Sequence, residues 1–179
     1  MTCAAHPGNI RKTVFGFRRS GCYNSKRKRG QNRLAILSIA VVKRGAQPRR
    51  RCRFAEALFN HKAGAAHLAW RAASRGLALV PSQQGISPVA QRELLQRGVP
   101  QQLWQGAPKA LTRQDLDRSD YIVLMEEAEH RPLLEKQFPK LAGQKVHYWH
   151  IADVGKLKPA TACQAMACAV DELMGRLER

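Results

Sequence analysis

The first 53 residues contain neither aspartate nor glutamate, although they hold 15 of the chain's 31 lysines and arginines. At the acid frequency of the remainder, about five carboxylates are expected there. Residues 54–179 carry 16 basic and 13 acidic side chains, so they supply only +3 of the chain's net +18. Long apolar runs are also missing. The longest, 34–42 (LAILSIAVV), is interrupted by Ser38 and falls well short of the ~18 residues that span a bilayer. The N-terminus lacks the basic-then-apolar order of a secretory signal, and its arginine-rich start has no amphipathic repeat of the transit-peptide kind. The five cysteines, Cys3, Cys22, Cys52, Cys163 and Cys168, are odd in number and form no Cys-x2-Cys pair. That argues against a disulfide framework or a zinc finger, and a reducing, cytoplasmic setting without membrane association is expected. With 44% hydrophobic and 25% charged residues the chain is globular in composition, which excludes collagen, coiled coil and full-length disorder.

What is present alternates. Residues 1–33, with Gly, Pro, Asn, Ser and the KRKR run at 26–29, bury little and read as a basic, disordered extension. Residues 34–179 read as one domain. Its first strand is Leu34–Val42, β-branched and apolar enough for a buried parallel position. A loop over Lys43–Arg53 follows, then a helix with Phe54, Leu58, Ala65 and Leu68 on one face. A second strand is expected within Ala69–Val80. Ser87-Pro88 starts a helix that passes Leu94 and Leu95 and stops at Gly98. Thr112 with Asp115 forms a variant capping box. Asp120–Met125 is the third strand, and a Glu- and Leu-rich helix follows to about Phe138. Lys145–Ile151 is the fourth strand. A last helix over Thr161–Leu177 buries Met166, Val170, Leu173 and Leu177. The alternation predicts a four-stranded parallel sheet with helices on both faces. Ligands of such folds bind outside the carboxyl ends of the strands, where Lys43–Arg53 lies.

A loop between a first strand and a first helix can cradle an anion with its N–H groups and the helix dipole, and here arginines add countercharge. The bland alternative is a solvated basic loop. The histidines His147 and His150 lie three apart on an expected strand and so face opposite sides, which argues against a shared metal. Tyr148 and Trp149 are candidates to wall a phenyl pocket, with core packing the simpler use. Cys163 and Cys168, about 140° apart around a helix, read as small core residues and not as a redox pair.

From Phe54 onward the sequence resembles the low-molecular-weight protein-tyrosine phosphatases. The resemblance rests on Arg53-Phe54-Ala55-Glu56-Ala57-Leu58-Phe59-Asn60-His61, Ser74-Arg75-Gly76-Leu77, Ile86-Ser87-Pro88, and Leu111-Thr112 with Asp115-Leu116. It continues through Ser119-Asp120-Tyr121-Ile122, Glu129-His130-Arg131-Pro132-Leu133, and Tyr148-Trp149-His150 with Asp153. The resemblance implies a flavodoxin-like fold. It also implies hydrolysis of a phosphotyrosine protein or small phosphate ester without metal or organic cofactor. The placement of Cys163 and Cys168 weakens the related arsenate-reductase reading, which needs thiols arranged for transfer. In the family, a Cys-x5-Arg-Ser loop supplies a thiolate that attacks phosphorus, an Arg that holds the equatorial oxygens and a Ser that steadies the thiolate. An Asp in the loop after the fourth strand protonates the leaving oxygen and then activates water.

Carried onto this sequence, the Arg position is Arg51, the Ser position is Cys52 and the general-acid candidate is Asp153, with Val154 where the family often has Pro. The nucleophile position is Gly45, which has no thiol. Six residues after the five cysteines stand Asn9, Lys28, Leu58, Ala169 and Met174, so no Cys-x5-Arg exists in the sequence. Pro48 removes one donor from the cradle. Two explanations stand. One is a pseudophosphatase that binds phosphorylated ligands without hydrolysing them. The other is a frameshift or misplaced start that has replaced the segment before about residue 53, where likeness and charge balance break together. Reading the DNA upstream of Phe54 in all frames decides between them. The uncompensated cations of residues 1–53 also invite nonspecific binding of polyanions, nucleic acid included. Phe15, Phe17 and Tyr23 are the only rings there to stack on bases.

Overall fold

The computed structural model describes the backbone of 33–40 and of Arg51, and residues 52–77, 85–139, 146–151 and 158–178. The expected N-terminal extension, the loop containing Gly45 and the segment bearing Asp153 lie outside these. Four described strands, β1 (Arg33–Ala40), β2 (Trp70–Gly76), β3 (Tyr121–Leu124) and β4 (Val146–Tyr148), form one sheet in the order β2-β1-β3-β4. Every pairing is parallel. The α-helices are α1 (Arg51–Ala65), α2 (Pro88–Gln96), α3 (Arg113–Arg118) and α4 (Glu127–Gln137), between strands, and α5 (Pro159–Leu177), after β4. The chain steps from β1 to β2 on one side and returns to pair β3 on the other. The topological switch therefore lies between β1 and β3.

Strand β3 assigns the two faces by its own alternation. Val123 and Met125 enter one apolar cluster with Phe54, Leu58 and Phe59 of α1, Leu94 of α2, and Met166 and Val170 of α5. Ile122 and Leu124 enter a second cluster with Leu116 of α3 and Leu134 of α4. Adjacent residues of a strand point to opposite faces, so helices cover both sides of the sheet.

The helix starts legible in the sequence form by the mechanisms their residues imply. Ser87 Oγ accepts from the Ala90 N–H at 3.1 Å, and Gly98 takes φ +69° beyond the helix end. The Thr112 hydroxyl accepts from the Asp115 N–H at 3.1 Å, while the Asp115 carboxylate accepts from the Thr112 N–H at 3.0 Å. The same carboxylate receives Arg75 Nε at 3.0 Å, which ties α3 to β2. Burial alone works against ionising Asp115. The Thr112 hydroxyl and N–H, with the Arg75 charge, more than offset it, so its pKa falls below the usual carboxylate value. A depressed carboxylate stabilises the fold above its unfolded pKa of about 3.9 and loses that contribution as pH falls through the lower folded value. Asp115→Asn is accordingly expected to cost about 1 kcal/mol at neutral pH, with the deficit shrinking on acidification below about pH 4. Urea unfolding at stepped pH checks both the size and the trend.

Three expectations need correction. The loop expected over Lys43–Arg53 does not run to Arg53, because α1 already begins at Arg51. An apolar stripe cannot place a helix start made of polar, helix-tolerant arginines. Ala65 does not share the buried face of Phe54 and Leu58. It is exposed at the end of α1, and Leu68 lies beyond the helix. There the Leu68 N–H reaches Ala63 O at 2.9 Å and the His67 N–H reaches Gly64 O at 3.2 Å, with His67 at φ +52°. This is a Schellman closure with a histidine in the left-handed position. Lastly, Cys163 is buried as expected, but Cys168 is only half-buried, and its sulfur accepts from Gln164 Nε2 at 3.7 Å.

Candidate functional site

Parallel pairing places the carboxyl ends of β1, β3 and β4 on one edge. Beyond β4 the sheet bonding continues, with the Trp149 N–H on Leu124 O at 3.0 Å and the Ile151 N–H on Met125 O at 2.8 Å. Ile151 is buried, so the chain is still anchored to the end of β3 two residues before Asp153. The described chain thus reaches the same edge at Ala40 of β1 and at Ile151 beyond β4, on the two sides of β3. Register along β1 shifts once: Ile36 pairs with Ala73, but Ile39 pairs with Arg75. Three steps on β1 against two on β2 make a bulge just before the strand ends.

Helix α1 enters from the loop with Arg51 as its first residue, Cys52 second and Arg53 third, and its first turn has no acid. Cations at a helix N-terminus oppose the macrodipole. The arrangement is locally unfavourable unless an anion sits nearby, where dipole and guanidinium charges act together. The Cys52 side chain is 5% exposed and packs within the apolar cluster of α1, α2 and α5.

The sequence reading missed Arg53. Its Nη1 donates to Gly106 O at 2.8 Å and Ala107 O at 3.2 Å, and its Nη2 donates to Gln105 O at 2.7 Å. One guanidinium thus gathers three successive carbonyls from a segment more than fifty residues away. Gly106 has φ +116°, a conformation that favours glycine, and a Cβ there would meet Arg53 Nη2 at 3.6 Å. No local pattern could have revealed this contact, because the acceptors are backbone atoms.

Helix α1 is held to β2 by two polar links. The Asn60 amide donates to Ala72 O at 3.0 Å and accepts from the Ala72 N–H at 2.8 Å. Because β2 is at the described edge of the sheet, this satisfies groups that face away from β1. Ser74 Oγ donates to the Glu56 carboxylate at 2.5 Å. Asn60, Glu56 and Ser74 all lie in the segments that carry the family resemblance, and here their work is structural.

The aromatic and histidine candidates separate. Trp149 packs against the cluster on the α1 side of the sheet, whereas Tyr148 packs against the cluster on the α4 side. They do not wall one pocket. Burial pushes the Tyr148 phenol pKa up, with the Glu127 carboxylate adding and Arg131 opposing, so it stays protonated at neutral pH. His147 stacks on Tyr121 with centroids 4.0 Å apart and planes at 3°. His150 lies outside β4 at φ +53°, its ring 6.2 Å from that of Tyr148. His130 is 5% exposed, and its Nδ1 lies 2.6 Å from Glu126 O at the start of α4. Among the described residues no helix is long and apolar enough to cross a membrane.

No protein-family model and no curated protein matches the sequence. Solved structures do match in fold. A low molecular weight protein tyrosine phosphatase from T. tengcongensis superposes with a TM-score of 0.63 at 20% identity, over 80% of this chain and 98% of its own. YwlE arginine phosphatase from Geobacillus stearothermophilus gives 0.61 at 17%, over 82% and 93%. A thioredoxin-dependent arsenate reductase from Corynebacterium glutamicum gives 0.61 at 20%, over 84% of this chain and 64% of its own. The flavodoxin-like α/β fold of the small phosphatases is therefore the fold of this chain. One scaffold carries three chemistries among these three proteins, so fold alone does not select one.

Proposed function

We propose that this chain is a phosphatase-like protein of the low-molecular-weight tyrosine-phosphatase family. It binds phosphomonoesters outside the carboxyl ends of β1 and β3 and, with Gly45 at the nucleophile position, does not hydrolyse them. The observation that carries the reading is the start of α1. Arg51 and Arg53 stand acid-free at a helix N-terminus, at the switch point of a fold matched by structures named as phosphatases. In this reading Arg51 grips two oxygens of the phosphoryl group, and the loop amides and helix dipole supply the rest of the attraction. Cys52 takes the place of the family's serine, and Asp153 occupies the general-acid position without a leaving group to protonate. The substrate class is a phosphotyrosine protein or small phosphate ester. The sheet has four strands in all, the domain spans residues 34–179, and residues 1–33 are a basic extension. The setting is cytoplasmic and no metal or organic cofactor is needed.

Titration calorimetry of the full chain with phenyl phosphate tests this. Binding is expected, and Arg51→Ala is expected to weaken it by about tenfold or more, as loss of a charge-assisted bidentate contact does. Absence of binding by the unmodified chain would refute the reading, as would binding indifferent to Arg51.

A further inference from the structure

We propose that residues 105–110 form a strap over the carboxyl end of β2, that the strap opens as a unit while the rest of the domain stays folded, and that Arg53 is its latch. The proposal concerns the described residues alone and needs nothing of the anion site above.

Topology makes the strap. Trp104 is buried in the apolar cluster on the α1 side of the sheet, and Leu111 in the cluster on the α4 side. The residues between them pass from one face to the other at the end of β2, where Gly76 pairs with Ala110. Two backbone bonds close this seam. The Gly76 N–H donates to Lys109 O at 2.9 Å, and the Leu111 N–H donates to Gly76 O at 2.9 Å. Within the strap only Pro108 is half-buried, and the other residues are exposed. Its own side chains therefore add little apolar burial to hold it down.

The latch is one side chain on α1. Arg53 receives the carbonyls of Gln105, Gly106 and Ala107 at 2.7, 2.8 and 3.2 Å. Its planar fork suits several acceptors at fixed angles, and bonds from a charged donor are worth more than neutral ones. Gly106 makes the turn that gathers the carbonyls, at φ +116°, where L side chains rarely go. The closed strap also carries a cost. Arg53 Nε, within the latch, is a buried donor without an acceptor in the protein. Such a group loses free energy on burial that water returns when the guanidinium is freed. Three bonds thus hold the strap shut, an unsatisfied donor works against them, and little apolar surface decides between the two. Those are the conditions for an opening that is local and two-state.

Native-state amide exchange of the full chain tests this. It is read at Gly76 and Leu111, whose N–H groups close the seam, and at Val170, fully buried in the middle of α5. In the unmodified chain the two seam amides, corrected for intrinsic rates, are expected to exchange about a hundredfold or more faster than Val170. Low urea should leave the seam amides unchanged and speed Val170, because a local opening exposes little surface. Arg53→Met removes the latch and touches neither seam amide, yet it should speed both by about tenfold or more. Glu178, whose N–H closes the end of α5 on Met174 O, frays without breaking the latch and should not change. Gly106→Ala strains the same latch from the strap side, should act in the same direction, and serves if the methionine variant does not fold. Seam amides as slow as Val170, with the same urea dependence, would overturn the separate opening. Seam amides that neither variant speeds would overturn the latch.

Discussion

Gly45→Cys is expected to raise p-nitrophenyl phosphate hydrolysis by about a thousandfold or more over the unmodified chain, whose rate should not exceed that of buffer. The substitution restores the spacing of a thiol six residues before Arg51 at the start of α1. On the proposed reading the helix dipole, Arg51 and the loop amides all favour the thiolate of the introduced cysteine, the form that attacks phosphorus. The attack forms an S–P bond and breaks the ester P–O bond. On the same reading Asp153 protonates the departing oxygen and then takes a proton from a water that attacks phosphorus, breaking the S–P bond and releasing phosphate. The full return of a family enzyme is not expected, because Pro48 removes one amide donor from the cradle. Adding Cys52→Ser, which completes the family pattern, should raise the rate further. Adding Arg51→Ala should abolish the gain. Adding Asp153→Asn should hurt phenyl phosphate more than p-nitrophenyl phosphate, whose leaving group needs less protonation. If the folded double variant Gly45→Cys/Cys52→Ser shows no turnover, the register counted back from Phe54 is wrong. Hydrolysis by the unmodified chain would be just as damaging, since it would require a nucleophile other than the one Gly45 displaces.

What could be read in the sequence was whatever is written locally. Ser87-Pro88, Thr112 with Asp115, and Gly98 announce helix ends because capping is an interaction over a few residues, and each forms as expected. The alternation of strands and helices gave the layer order for the same reason, and β3 shows it most clearly, with successive residues in opposite clusters. Features that depend on distant backbone were silent. The acceptors of Arg53 are carbonyls, which have no letter in a sequence. The positive φ of His150 broke an alternation that a simple strand would have continued. The site stands between these cases. The composition of the loop and the residue at Gly45 are plain, but their consequence depends on where the sheet sends them.

The largest expected loss of stability tests the reading of α1 that the structure corrected. A helix with one apolar stripe tolerates truncation on its other sides, and the expected stripe ran through Phe54 and Leu58. Phe59 follows Phe54 by five residues, about 140° around the helix. Both nevertheless have 0% exposure. Helix α1 packs against β1 and β2 as well as α2 and α5, so apolar surface surrounds most of its circumference. Phe54→Ala and Phe59→Ala should therefore each cost about 3–5 kcal/mol, the usual range for emptying a close-packed aromatic site. Domains of this kind are stable by only about 5–15 kcal/mol, so either variant approaches global unfolding. Leu95→Ala, at a side chain 60% exposed on α2, should stay within about 0.5 kcal/mol. Urea midpoints of the three variants decide the matter. A Phe59→Ala cost near that of Leu95→Ala would mean that α1 buries only the stripe seen in the sequence.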